Sequence, residues 1–418
     1  MTSIQEEVPE EQAATRPTPL WFNRDYLLLW GGQAVSSLGS SASELAFPLL
    51  ILFITQSPAQ AGIGGALRAL AYLLLGLPAG ALVDRWNRKR AMIVCDAARA
   101  LALGSIPLAL ALNHLTLAQI YLVAVIEGAL SVFFGLANTA ALPNVVAKEQ
   151  LPAATAQEEV TQGIVTLVGP TLSGTFFGIT KALPFLADAI SYAASVISLF
   201  WIRLPFQEER QREPHSLRAE MWEGVVWLWR EPVARALVLL HGGLILALSG
   251  ASLLMIVIAQ RQHATPAAIG LMFGISGIGA MLGAVLGGQA HKRFRLGQVL
   301  VSAFWVYALL WPLFAIAPSV VALGAILAAF WVVDETYDVV QLSYRVALIP
   351  DALRGRVNGV LRLVFYTCEA VSIALMGFLL QQVGVLATIL IFEGGFVLLA
   401  IAATLNRAMR QARPLTDL

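Results

Sequence analysis

The sequence predicts an all-α membrane protein: twelve transmembrane helices in two six-helix, pseudo-symmetric halves. Three observations carry that prediction. The chain is too apolar for water, with 58% of its 418 residues hydrophobic and 13% charged and a mean hydropathy of +0.74; soluble proteins carry roughly 25% charged residues. Twelve segments reach the length of about 20 mostly apolar residues that crosses hydrocarbon. The chain also repeats its own plan from the middle onward.

The spans run over 26–54, 61–83, 91–112, 117–142, 157–179, 183–203, 233–259, 266–290, 298–317, 319–345, 357–381 and 384–406. The first is long enough to tilt or break and contains Gly39 and Pro48. Ahead of it, residues 1–25 begin MTSIQEEVPEEQAATRPTP, acidic and without an apolar run. They read as a disordered cytosolic tail and not as a secretory signal.

Orientation follows from Lys and Arg in the loops. Arg85, Arg88, Lys89 and Arg90 follow span 2, Lys292, Arg293 and Arg295 follow span 8, and Arg354 and Arg356 follow span 10. Arg203 at the end of span 6 and four more arginines before span 7 follow the same pattern, and three follow span 12. The alternate loops carry only Lys181 and Arg261. Both termini are therefore expected in the cytosol of a cell membrane. Residues 26–203 form the N-terminal half, 204–232 a cytosolic linker, 233–406 the C-terminal half and 407–418 a cytosolic tail. Within the linker, Leu217, Met221, Val225, Trp227 and Leu228 recur at helical spacing, so an interfacial helix competes with a plain connector.

The duplication is legible in detail. With Pro143 set opposite Pro350, Glu127 and Asp334 each fall sixteen residues earlier, and Asn138 meets Arg345. The same offset pairs Gly80 with Gly287, Asp84 with His291 and Arg85 with Lys292. Repeats of this kind are a transporter design, with the substrate site at the midplane between them.

Five buried acids then require an account. Glu44 lies in span 1, Glu127 near the middle of span 4, and Asp334, Glu335 and Asp338 in span 10. A charge at mid-bilayer costs roughly 2.5 kcal/mol or more, so a group of three is not incidental. Loss of water and a neighbouring carboxylate both favour the protonated form of an acid, which suits a proton-coupled carrier. Candidate charge partners are Arg68, Arg345 and Arg362. Asp96 and Arg99, three apart in span 3, form a second ion pair. Asp188, Glu369 and Glu393 are further acids in less central helices. Trp331 and Tyr337 flank the cluster and suit a lipophilic cation.

GALVDRWNRKR, residues 80–90, resembles the signature loop of the major facilitator superfamily: Gly, three residues, Asp, then a basic turn. The family has Gly where this chain has Asn87. FNRDYLLLWGGQAVSSLGSSASELAFPLLI, ALPNVVAKEQLPAATA, GPTLSG, LADAISYAAS and PDALRGRVNG resemble its drug- and siderophore-exporter branch, which includes macrolide and enterobactin exporters. That branch often carries an acid after the Gly of span 1; here Ser40 stands there and Glu44 follows one turn later. The resemblance implies that spans 1, 4, 7 and 10 line a central cavity. It implies that Gly80, Asp84, Arg85, Arg88, Lys89 and Arg90 form a cytosolic gate against span 11. It also implies that Gly169, Pro170 and Gly174 in span 5 make a hinge or a tight seam.

The function expected is a proton-coupled exporter of amphiphilic small molecules, such as macrolides or other drugs, working by alternating access. The alternative is export of a siderophore or other secreted metabolite, with Arg68 as an anion partner. A membrane enzyme lacks a nucleophile–base constellation, and a passive channel has no need of duplicated halves. Cys95 and Cys368 read as buried thiols. The histidines, His114, His215, His241, His263 and His291, sit at loops or helix ends without metal spacing. The expected partners are protons, a small-molecule substrate and the lipid bilayer. No cofactor, metal or nucleic acid is expected, and the chain is expected to be a monomer.

Overall fold

The computed structural model of the chain describes residues 19–83, 85–204, 206 and 217–410. Asp84, most of the N-terminal tail, residues 207–216 of the linker and residues 411–418 lie outside the described residues. So do the side chains of Leu77, Ala81, 217–220, His291 and Lys292. Among the described residues the chain is helical throughout, with no strand. The first six long helices are α1 (Arg24–Thr55), α2 (Pro58–Val83), α3 (Arg88–Ala111), α4 (Leu117–Val145), α5 (Leu151–Ile179) and α6 (Leu183–Trp201). A linker helix, α7 (Leu217–Arg230), follows. Span 7 is split into α8 (Pro232–Leu248) and α9 (Ala251–Arg261). Then come α10 (Pro266–Arg293), α11 (Leu296–Leu310) with the short α12 (Leu313–Ile316), α13 (Val320–Leu348), α14 (Arg354–Gln382) and α15 (Gly384–Leu405).

Eleven of these spans are long and apolar enough to cross a membrane. The twelfth, α5, is long enough, but Glu158, Glu159 and several amides and hydroxyls occupy its first half. It packs against α1 and α10, and much of its polar first half stays exposed. Helix starts follow side-chain chemistry: Asn23, Asn87, Thr116, Thr265 and Ser319 each accept a first-turn backbone N–H, the groups a helix leaves unpaired at its N-terminus. Large apolar side chains such as Leu101, Leu122, Val321 and Leu398 are exposed where lipid covers a spanning bundle.

The first span does not break: α1 runs unbroken through Pro48. The breaks fall in span 7, at Ser249 and Gly250, and in span 9, at Trp311 and Pro312. At the first break Gly250 donates its N–H to the Ser372 hydroxyl of α14 (3.0 Å). A neighbouring helix thus stabilises the interruption.

Helices α1 to α6 pack on one another, as do α8 to α15. The two sets meet chiefly along two seams, α2 on α14 and α5 on α10. Both seams are glycine on glycine. A methyl placed on Gly62 of α2 lands 2.9 Å from the Gly377 Cα and 2.8 Å from the Ile373 carbonyl oxygen of α14. One placed on Gly174 of α5 lands 2.8 Å from both the Cα and the N of Gly270 in α10. Small residues permit this close approach in lipid. Both seams lie toward the face remote from the two termini, here the distal face. Toward the opposite, terminal face, Gly76, Gly80 and Gly163 look into open space. The bundle is closed distally and parted at the terminal face.

Candidate translocation cavity

Two adjoining cavities lie between the two sets of helices. The distal one, about 370 Å³, is lined by Glu44 of α1, Arg68 and Tyr72 of α2, Ser249 at the span-7 break, and Tyr366 and Glu369 of α14, among others. The second, about 630 Å³, lies toward the terminal face between α2, α4 and α14, with Ser131, Asn358 and Arg362 on its wall. Tyr72 and Tyr366 line both cavities. Their rings, 5.2 Å apart between centroids, stand where the two meet.

Arg68 Nη1 lies 3.4 Å from Glu44 Oε1, while the Glu44 side chain stays 67% exposed, so Glu44 faces cavity water. Arg68 pairs with Glu44, Arg345 sits 5.9 Å above the Phe365 ring centroid, and Arg362 lines the wider cavity. Glu369, set aside from the sequence as less central, stands beside Glu44 and Arg68 in the cavity. Tyr366 reads from the sequence as one of several interfacial or packing aromatics and Tyr72 does not stand out; nothing in the sequence distinguishes a cavity tyrosine from one at the membrane interface.

Glu127 is not in this cavity, which corrects the expectation that it converges with the span-10 acids. It is 2% exposed and lies inside the first set of helices. Arg99 grips both its carboxylate oxygens, through Nε at 3.1 Å and through Nη2. The Tyr192 hydroxyl donates to Glu127 Oε1 (2.8 Å), and the Arg99 guanidinium lies 4.0 Å over the Tyr192 ring. Arg99 also lies 3.5 Å from Asp96, so the expected span-3 pair is one arm of a larger network. Asp188 adjoins it, accepting from the hydroxyls of Ser43 (2.5 Å) and Ser191 (3.2 Å). The missed signal is that Arg99 and Glu127 lie at matching depths of adjacent helices running in opposite directions.

The span-10 acids also point away from the two cavities. Gly283 of α10 abuts Glu335, with a methyl there landing 2.8 Å from the Glu335 Cβ. This contact sets the rotation of α13. At 100° per residue, Asp334 then faces α11, where the Tyr307 hydroxyl donates to its Oδ1 (2.8 Å). Asp338 and Arg345 lie seven residues apart on α13. His241 corrects the reading that every histidine sits at a loop or helix end. It lies within α8, against the Tyr337 ring at 5.7 Å and edge-on to Phe365 at 4.6 Å. Its Nδ1 is 3.2 Å from the Tyr337 hydroxyl.

In the basic loop, Arg88 donates to the carbonyls of Ala140 (2.9 Å) and Phe206 (3.2 Å). Lys89 donates to those of Ile202 (2.6 Å) and Phe200 (3.4 Å). The Lys89 contacts satisfy carbonyls at the C-terminus of α6, and those of Arg88 tie α4 to the chain after α6. Arg85 and Arg90 are exposed. In α5, Gly169 lies on Ser41 of α1, and Pro170 leaves the helix unbroken. Gly169 and Gly174 thus both lie at close helix contacts.

The model of the transmembrane secretion effector family matches residues 18–415, nearly the whole chain. The chain belongs to that family. As a member of this group of major facilitator transporters it is a multi-pass membrane transporter and not an enzyme. Among curated proteins it is 25% identical to the enterobactin exporter EntS of Salmonella typhi, over 89% of this chain and 91% of that one. The Citrobacter koseri EntS is 26% identical, over 89% and 90%. Solved structures share the fold at low identity. A bacterial homologue of the lysosomal transporter Spinster, inward-facing and occupied, superposes with a TM-score of 0.73 at 14% identity, covering 94% of this chain and 98% of that one. A bacterial homologue of ferroportin, inward-facing, gives 0.69 at 15%, covering 93% and 99%.

Proposed function

We propose that this transmembrane secretion effector exports a small amphiphilic metabolite, of the siderophore class, from the cytosol in exchange for protons. The observation that carries the proposal is the cavity between two helix sets, parted at the terminal face and closed distally by two glycine seams. With the terminal face in the cytosol, as the Lys and Arg distribution indicates, this arrangement is loaded from inside. Rocking of the sets about the cavity then exposes it to the other side. The siderophore class is supported by the EntS relatives, and Arg68 and Arg362 offer it cationic groups. Glu44, Glu369 and the two tyrosines favour a second reading, an amphiphilic cation such as a macrolide.

Proton exchange is supported by the acids. Glu44 and Glu369 face the cavity. Asp334, Glu335 and Asp338 lie together in α13, packed against α10 and α11 within the second helix set. Each proton entering across 100 mV supplies about 2.3 kcal/mol, and each pH unit about 1.4 kcal/mol. The loop holding Asp84, Arg85, Arg88, Lys89 and Arg90 acts as the cytosolic gate when the distal face opens, and one chain suffices for the cycle.

Proteoliposomes with an imposed pH gradient, loaded with enterobactin or erythromycin, test both readings. Gradient-driven movement of the first and not the second is expected. Asp334→Asn keeps the hydrogen bond from Tyr307 but carries no ionisable proton. It is expected to abolish uphill transport and spare downhill exchange; uphill transport at the unmodified rate in this variant removes Asp334 from the coupling path.

A further inference from the structure

A smaller cavity of about 220 Å³ opens near the terminal face between α13 and α14, lined in part by Arg345, Arg354, Asn358 and Arg362. The three guanidiniums are not equivalent. Arg354 pairs with Asp351 at 2.6 Å and donates to the Val346 carbonyl (3.3 Å). Arg345 and Arg362 have no carboxylate within ion-pair distance among the described residues. Asp338, two turns earlier on α13, lies beyond that distance from Arg345, and Glu369 lies two turns beyond Arg362 on α14. Elsewhere in the spans Arg68 and Arg99 each have a carboxylate partner.

Arg345 lies in the last turn of α13, where a basic residue suits a helix C-terminus, but topology does not require Arg362. Arg362 stands eight residues into α14, about 12 Å from its start at 1.5 Å per residue. The orientation rule needs basic residues only in the loop. An intramembrane charge is costly unless paired or hydrated, and these two share one cavity whose other walls include Leu342 and Phe365. Arg362 and Asn358 also line the wider translocation cavity, so the two spaces adjoin. A guanidinium presents planar paired donors that match an oxyanion.

We propose that Arg345 and Arg362 together hold the oxyanion of an amphiphilic ligand at the terminal-face mouth of the cavity. Arg354 and Asn358 stand at its rim, and Leu342 and Phe365 receive its apolar part. Two sources supply that chemistry: an anionic molecule entering the transport path, or the headgroup of an anionic lipid. The site rests on the exporter reading only in giving a free anion a route onward.

The full chain in phosphatidylcholine nanodiscs, titrated calorimetrically with 2,3-dihydroxybenzoate, tests the first source. Native mass spectrometry of chain reconstituted with equal phosphatidylglycerol and phosphatidylcholine tests the second. One of these probes is expected to bind, or to be retained preferentially. The paired change Arg345→Gln with Arg362→Gln is expected to weaken it by about tenfold. Arg354→Gln is expected to change it less than about threefold, since that guanidinium already has a carboxylate. If the double variant does not fold, each single variant is expected to weaken binding about threefold. Binding of neither probe, or binding indifferent to both single changes, overturns the site. Equilibrium binding is read without transport, so binding that persists while gradient-driven export fails counts against the exporter reading alone.

Discussion

Arg99→Ala is expected to destabilise the chain by about 3–5 kcal/mol, the cost of leaving a buried charge without its partner. Arg99 is 6% exposed, Glu127 2% and Asp96 0%. The Arg99 guanidinium bridges α3 to α4 through Glu127 and covers the Tyr192 ring of α6. Its removal leaves two carboxylates without a cation in the middle of the first helix set. Denaturant unfolding in detergent, read by near-ultraviolet circular dichroism, measures the loss. The companion change Arg99→Met with Glu127→Leu removes both charges of the main pair and replaces them with apolar volume. It is expected to restore much of the stability, since a buried pair exchanged for well-packed apolar residues is often neutral. A single variant within about 0.5 kcal/mol of the unmodified chain contradicts the dry, tightly paired network described here.

Gly62→Trp is expected to stop the distal face from closing. Even a methyl at Gly62 meets backbone atoms of Gly377 and Ile373, which no side-chain rotation relieves, and an indole is far larger. The seam must part, and the population shifts toward a distally open state. The readout is the labelling of Ser252→Cys, a cavity position, by a membrane-impermeant maleimide added at the distal face, with Cys95 and Cys368 changed to serine. Labelling is expected to rise by about tenfold, and uphill transport to fall by at least as much, if the variant shifts the equilibrium by about 1.4 kcal/mol. Unchanged labelling with transport intact removes the glycine seams as the distal closure.

The architecture was legible because lipid imposes it. A run of apolar residues long enough to cross hydrocarbon is a direct physical signature, and the offset pairing Pro143 with Pro350 exposes the duplication. Span 5 carries the weakest apolar signal, because the first half of α5 is polar and largely exposed. Length alone allows span 1 to tilt or break, yet the breaks fall in spans 7 and 9. Pro48 is tolerated within α1, while Gly250 is released from its own helix by the Ser372 hydroxyl, a contact 122 residues away.

The site was less legible, for a geometrical reason. Sequence gives an acid its depth in the membrane but not its rotation about the helix axis. Glu127 and Asp334 lie at equivalent depths in equivalent helices, and each turns into its own helix set, toward Arg99 and Tyr307. What turns them is close packing on neighbouring helices, such as that of Gly283 against Glu335. Glu44 and Glu369 reach the cavity although one seemed displaced from its family position and the other peripheral.

The linker helix has a mechanical consequence. Gly224 of α7 packs on the backbone of Arg356 and Val357, Glu223 pairs with Arg356, and Trp222 and Trp229 remain exposed. If those indoles sit among the headgroups of one leaflet, α7 would be a rudder fixed to the foot of α14. Lateral pressure in that leaflet would then bear on the helix that carries Arg362, Tyr366 and Glu369, and the speed of the cycle would depend on the surrounding lipid as well as on the chain.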